Sequence, residues 1–156
     1  MASDSFSDAD ELLRAPPPQS ASGADQQQIP RGRKLRILVV DDLTDAADSL
    51  ALLLRILGYE VRTAYTGPTA LSAAEQFHPD AVLLDIGLPE LDGYQVAMRL
   101  RQIPPLQKAC LVAISGYGRE SDIRHAYEAG FDLHLLKPVN TERLAALLAD
   151  LVARLP

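Results

Sequence analysis

The sequence predicts a doubly wound α/β domain, and three observations carry that expectation. From residue 35 onward, five short apolar runs alternate with five segments whose apolar residues recur at helical spacing. Several runs, among them Ile37-Leu-Val-Val40 and Ala81-Val-Leu-Leu84, are continuously apolar. Such strands are buried on both faces, as in a parallel sheet wrapped by helices. Glycine, proline and short polar residues fall between the segments, where turns and caps belong.

Taken in order, Leu35–Val40 is rich in β-branched residues and reads as the first strand, and Asp41–Thr44 is a polar break. Ala47, Leu50, Leu54 and Leu57 then recur at helical spacing, and Gly58 stands where a helix C-terminal glycine belongs. Glu60–Tyr65 is the second strand. Thr66-Gly67 makes a turn, and Pro68 suits the first position of a helix running to Phe77. After the loop His78-Pro79-Asp80 come a third strand, Ala81–Ile86, and a loop, Gly87–Asp92. A helix follows from Gly93 to about Gln102, and Pro104-Pro105 breaks the chain. Ala109–Ile114 is the fourth strand, Ser115–Arg119 a loop, and Glu120–Ala129 a helix closed by Gly130. Leu133–Leu136 is a short fifth strand. The last helix, Thr141 to Leu155, carries Leu144, Leu147, Leu148, Leu151 and Leu155 on one stripe.

Composition narrows the function classes. With 47% hydrophobic and 23% charged residues in 156, the chain has the apolar material for a core without a metal or disulfide staple. The lone Cys110 excludes an intramolecular disulfide and, in its apolar run, reads as a buried, reduced thiol. A net charge of −6 argues against a nucleic-acid surface. No stretch approaches the roughly 20 apolar residues of a membrane span, and no secretory signal is present, so a cytoplasmic protein is expected. Residues 1–34 differ in composition: Pro16, Pro17, Pro18, Pro30 and the run Gln26-Gln27-Gln28 mark a disordered tail, in which Ser7–Leu13 could cap one short helix, a docking helix for a partner or more simply a frayed turn, and Arg31–Lys34 is a solvated basic cluster. Residues 35–156 form the folded domain.

Open parallel sheets bind ligands outside the carboxyl ends of their strands. Strand one ends in Asp41-Asp42, strand three carries Asp85 near its end, strand four ends in Ser115, and strand five in Lys137-Pro138. Three carboxylates repel one another, and one lysine offsets only part of that. A divalent cation completes the compensation. Hard oxygen ligands suit Mg²⁺, which also takes phosphate oxygens, and the absence of a Cys/His set disfavours zinc. An aspartate beside Mg²⁺ is a plausible nucleophile toward phosphorus. Any one of these residues could instead be a solvated loop residue or a cap, as Asp42 or Thr44 could be for the first helix. Five at one edge favour a site.

The chain resembles the receiver domains of two-component response regulators over residues 35–155. The resemblance rests on the ordered set Ile37-Leu-Val-Val-Asp-Asp42, Leu84-Asp-Ile-Gly-Leu-Pro89 with Asp92-Gly93, Ala113-Ile-Ser115, Ala129-Gly130 and Leu136-Lys-Pro138. It implies a flavodoxin-like (βα)₅ sheet with strand order 2-1-3-4-5, which places Asp41-Asp42 beside Asp85. It implies that Asp85 is the phosphoryl acceptor, and that Asp42, Asp41, Asp85 and the backbone carbonyl of Gly87 hold Mg²⁺. Ser115, where many members have Thr, would contact the phosphoryl group, and Lys137 would pair with its oxygens. A cis Lys137-Pro138 bond is implied as well. The position three before Lys137, usually an aromatic that turns inward with the hydroxyl, is His134 here, an ending most like receivers associated with hybrid histidine kinases.

The expected protein is therefore a signalling receiver. It would take its phosphoryl group from a histidine kinase or a histidine phosphotransfer protein and catalyse only its own phosphorylation and slow dephosphorylation. Since no output domain follows, it would act as a stand-alone switch, phosphorelay shuttle or phosphate sink, with an unassigned downstream protein target. The resemblance also admits a homodimer. Two rivals remain: a haloacid-dehalogenase-like phosphatase with an aspartate nucleophile, and a docking module of the same fold that never carries phosphate.

Overall fold

The computed structural model describes residues 33–155. The tail expected at residues 1–34, including the turn at Ser7–Leu13, therefore lies outside the described residues except for Arg33 and Lys34. Lys34–Leu147 form one compact unit that holds every strand and the first four helices. A second unit begins at Leu148.

The elements are β1 (Arg36–Val40), α1 (Thr44–Ile56), β2 (Glu60–Ala64), α2 (Gly67–Phe77), β3 (Ala81–Asp85), α3 (Gly93–Leu100), β4 (Cys110–Ser115), α4 (Glu120–Ala129), β5 (Leu133–Leu136) and α5 (Thr141–Ala153). All strands are parallel, in the order β2-β1-β3-β4-β5. This is the doubly wound, flavodoxin-like sheet that the resemblance implies. The chain reverses direction across the sheet between β1 and β3, and Val40 is paired with both Ala64 and Leu84. The carboxyl ends of β1 and β3 thus lie side by side.

Strand alternation divides the core. Leu38, Val40, Val82, Leu84, Leu111 and Ala113 pack in one buried cluster with Ala70 and Ala74 of α2, Val96, Ala97 and Leu100 of α3, and Ala126 and Ala129 of α4. The residues between them, Ile37, Val39, Leu83 and Val112, are equally buried and face the other way, the side covered by α1 through Ala47, Ala51 and Leu54. Burial on both faces explains why β1, β3 and β4 read as unbroken apolar runs. Alanines on the helix faces let helices and sheet approach closely.

Local chemistry sets the boundaries. Thr66 and Asp92 each close a reciprocal capping box, with Thr69 and Gln95, that starts α2 and α3. Pro68 sits at the second helical position, one later than expected, because Gly67 takes the first. Gly58 and Gly130 end α1 and α4 at φ 101° and 112°, which side chains rarely adopt. The Pro104-Pro105 break forms a single 3₁₀ turn, Pro104–Leu106, and α3 stops at Leu100. The strands are shifted slightly from expectation: Asp85 is the last residue of β3, and Ser115 belongs to β4. α5 ends at Ala153. Cys110 is only half-buried, because it opens β4 at the rim of the sheet.

The amino edge of the sheet is tied by Arg101. Its guanidinium donates to the carbonyls of Gly130 (3.0 Å), Gln107 (3.0 Å) and Ala109 (2.7 Å) and to Asp132 Oδ2 (2.7 Å), which also accepts the Leu111 N–H. The carboxyl edge depends on a close approach instead. A Cβ on Gly93 would stand 2.6 Å from Ile86 Cα and 2.7 Å from the Asp85 carbonyl oxygen. Both are backbone atoms, so relief requires moving the strand end that carries Asp85. Gly93→Ala is expected to lower stability by about 1–3 kcal/mol in urea unfolding. Gly116→Ala, where nothing stands within 4 Å, is expected to stay within about 0.5 kcal/mol.

Candidate metal centre

The switch in direction between β1 and β3 brings Asp41, Asp42 and Asp85 together. One carboxylate oxygen from each lies within 4.8 Å of the others. Asp85 is 6% exposed and ends a strand with no exposed residue. Its Oδ1 accepts the Gly87 N–H at 3.2 Å and lies 3.4 Å from Lys137 Nζ. Asp41 Oδ1 accepts the Leu43 N–H at 3.0 Å, and its Oδ2 lies 3.7 Å from the same ammonium. Asp42 is exposed at the mouth. It is not the cap of α1: Leu43 occupies that position without a side-chain hydrogen bond, so neither Asp42 nor Thr44 is consumed in capping.

Lys137 follows β5 and reaches two of the three carboxylates across β4. The Lys137-Pro138 bond is cis, as the resemblance implies. The charge count at the site is three carboxylates against one ammonium. Close, hard oxygen donors with that surplus fit a divalent cation such as Mg²⁺, which binds through a few carboxylates and keeps waters for further ligands. Asp41, Asp42 and Asp85 would hold it. Gly87 meets the site through its amide on Asp85.

Ser115 and His134 form a neighbouring pair. Ser115 is 4% exposed. Its Oγ lies 2.8 Å from the Tyr117 carbonyl oxygen, 3.2 Å from the Tyr117 nitrogen and 3.0 Å from His134 Nε2. His134 is half-buried on β5, paired with Ala113. Burial holds its imidazole below the usual value of 6.5, and the Asp122 carboxylate on α4 opposes that shift. Asp122 also binds Arg119 at 3.0 Å. Burial, then Asp122 and Asp92, push the Tyr94 phenol up, and its ring stacks on His125 at 3.9 Å.

The structure thus brings Asp41, Asp42, Asp85 and Lys137 into one cluster and sets Ser115 and His134 against each other. It also shows partners that residue types alone did not reveal. The amides of Leu43 and Gly87 and the Tyr117 peptide each hold a site side chain, and main-chain groups leave no compositional trace. Asp122 approaches His134 only through the packing of α4 on β5. Tyr65 donates to Asp48 Oδ1 at 2.6 Å, so the end of β2 holds a carboxylate of α1 although it carries no charge of its own. His125, expected to face solvent, is exposed but stacked on Tyr94. Among the described residues, no helix is long and apolar enough to cross a membrane.

An acidic cluster at the switch point of an open parallel sheet, with a lysine against two of its carboxylates, suits a magnesium-binding domain. Residues 37–149 match the response regulator receiver domain, and the chain belongs to that family. Receiver domains typically use Mg²⁺ at the acidic site and interact with histidine kinases or phosphotransfer proteins. The transcriptional regulatory protein PrrA of Mycobacterium tuberculosis is 41% identical over 119 residues, 76% of this chain and 47% of its own length. This chain thus spans about half of that relative. A putative response regulator from Chloroflexus aurantiacus superposes with a TM-score of 0.72 at 34% identity, covering 78% of this chain and 100% of that one. The receiver domain of the sensor histidine kinase PA1611 from Pseudomonas aeruginosa, solved with magnesium in its active-site cleft, superposes with a TM-score of 0.70 at 28% identity, covering 77% and 98%.

Like charges at this separation predict a cost in stability. Asp42→Asn is expected to raise stability without divalent cations by up to about 1 kcal/mol, through removal of one like charge. The same variant should lose most of the upward shift in urea midpoint that Mg²⁺ gives the unaltered chain, a shift set by binding to the folded state alone. Denaturation with and without MgCl₂ checks both.

Proposed function

We propose that this chain is a receiver in which Asp85 accepts a phosphoryl group from a phosphohistidine, with Mg²⁺ held by Asp41, Asp42, Asp85 and the Gly87 carbonyl. The observation that carries the reading is the state of Asp85. Its carboxylate is nearly buried, oriented by the Gly87 amide and Lys137, and set among two further carboxylates at a sheet switch point. A structural aspartate has no need of that setting.

In this reading an Asp85 oxygen forms a bond to phosphorus while the P–N bond of the donor histidine breaks, and the departing imidazole keeps the electron pair and takes up a proton. Lys137 already contacts Asp85 and would follow the developing charge on the transferring oxygens. Mg²⁺, when bound, supplies the remaining neutralisation of those oxygens. Ser115 would donate its hydroxyl to the same group and, with His134, form the moving part. The product carries about −1.5 to −2 charges where a carboxylate carried one, and that change shifts the population of conformers.

The donor is a histidine kinase or a histidine phosphotransfer protein, met in the cytoplasm. The phosphoryl group is then passed on, stored, or read by a protein target, in keeping with the exposed apolar residues Tyr117, Tyr127 and Leu136 around β5 and α4. Membership of the receiver family supports this reading over a small-molecule phosphatase. Incubation with acetyl phosphate and Mg²⁺ is expected to label the chain at Asp85, and Asp85→Asn to abolish the label. Undiminished labelling of that variant would place the acceptor elsewhere. A folded chain that binds neither Mg²⁺ nor beryllofluoride would be a docking module instead.

A further inference from the structure

The hydroxyl of Ser115 has one proton and two lone pairs, and three neighbours compete for them. The Tyr117 N–H takes one lone pair. The Tyr117 carbonyl only accepts, so it takes the proton. What is left for His134 Nε2, at 3.0 Å, is the second lone pair, which requires that Nε2 carry a hydrogen. A bare Nε2 would compete with the Tyr117 carbonyl for a single proton and leave one of two part-buried groups unsatisfied. The hydrogen-bond pattern therefore selects the Nε2–H form of the ring.

This arrangement bears on the proposed acceptor chemistry. To donate to a phosphoryl oxygen, Ser115 must withdraw its proton from Tyr117. With its Cα held by the pairing of Ser115 with Leu136, Oγ would reach a phosphoryl oxygen by turning about the Cα–Cβ bond to another staggered position, and that turn would break the 3.0 Å contact with His134. The imidazole is thus a competitor for the oxygen that the phosphoryl group needs. A neutral Nε2–H competes moderately. An imidazolium competes more strongly, because a hydrogen bond from a charged donor is roughly twice as strong.

We propose that His134 is a positioning residue for Ser115, an Nε2–H donor that holds the hydroxyl away from the phosphoryl site and tightens that hold when the ring takes a second proton. The inference rests on the receiver reading above and adds to it a dependence on acidity set by one residue. The charged groups that bear on the ring come from α4: Asp122, and Arg119 bound to it. Across from it on β4 stand Ala113 and the neutral hydroxyl of Ser115. Lys137, on the continuation of its own strand, is turned to Asp41 and Asp85. Because burial outweighs Asp122, the second proton is taken up below pH 6.5, and the hold tightens as pH falls through that range.

Two measurements test this on the whole chain. Nitrogen shifts of ¹⁵N-labelled histidine report tautomer directly, with His78→Gln and His125→Gln variants assigning the three rings. The expected result is an Nε2–H ring at His134 at neutral pH; an Nδ1–H ring would overturn the proposal. Affinity for beryllofluoride with Mg²⁺ is then followed from pH 7.5 downward. The unaltered chain should lose about fivefold more affinity on protonation than His134→Gln, whose amide donates but does not titrate. His134→Phe, lacking the donor, should bind more tightly than the unaltered chain and share the Gln profile. Superimposable pH profiles for the unaltered chain and His134→Gln would overturn the proposal. Absence of beryllofluoride binding in every variant would overturn the receiver reading itself, while the tautomer still judges the hydrogen bond.

Discussion

Three carboxylate oxygens within 4.8 Å of one another, faced by the single ammonium of Lys137, are the constraint around which the carboxyl edge of this domain is organised. Such a cluster opposes folding unless its charge is met. Part of the answer is covalently cheap: the amides of Leu43 and Gly87 each donate to one carboxylate, and they are there because the chain turns sharply after β1 and β3. The rest is left for a ligand. A site that its own protein under-neutralises suits a divalent cation.

The two edges of the sheet differ in this respect. At the amino edge, Arg101 donates to the carbonyls of Gly130, Leu106, Gln107 and Ala109 and to Asp132, and the Arg36 N–H is bound by Asp80 at 2.8 Å. Charges there are matched to fixed partners and join α3, β4 and the turn before β5 in one rigid corner. At the carboxyl edge, the polar groups are held in geometry but not in charge.

Ser115 and His134 lie between these regimes. The hydroxyl is nearly buried and fully hydrogen-bonded, yet its three partners are a peptide in an exposed loop and an ionisable ring. Asp122 extends the influence of the ring to α4, and Tyr94 carries it toward α3 through the same carboxylate.

Much of this was legible in the residues themselves. Unbroken apolar runs reveal double-sided burial, Gly58 and Gly130 announce backbone that other residues resist, and acidic residues directly after Val40 and Leu84 stand out against them. These are properties of single residues and their neighbours in the chain. Adjacency is not. That β1 and β3 are neighbours is implied only by family resemblance, because periodicity carries no information about strand order. The tertiary structure alone decided that Leu43 rather than Asp42 caps α1, that Pro104-Pro105 folds into a 3₁₀ turn, that Cys110 stands at the rim, and that His134 meets Ser115. Each depends on groups distant in sequence or on main-chain atoms that carry no residue identity, so no local pattern could encode it.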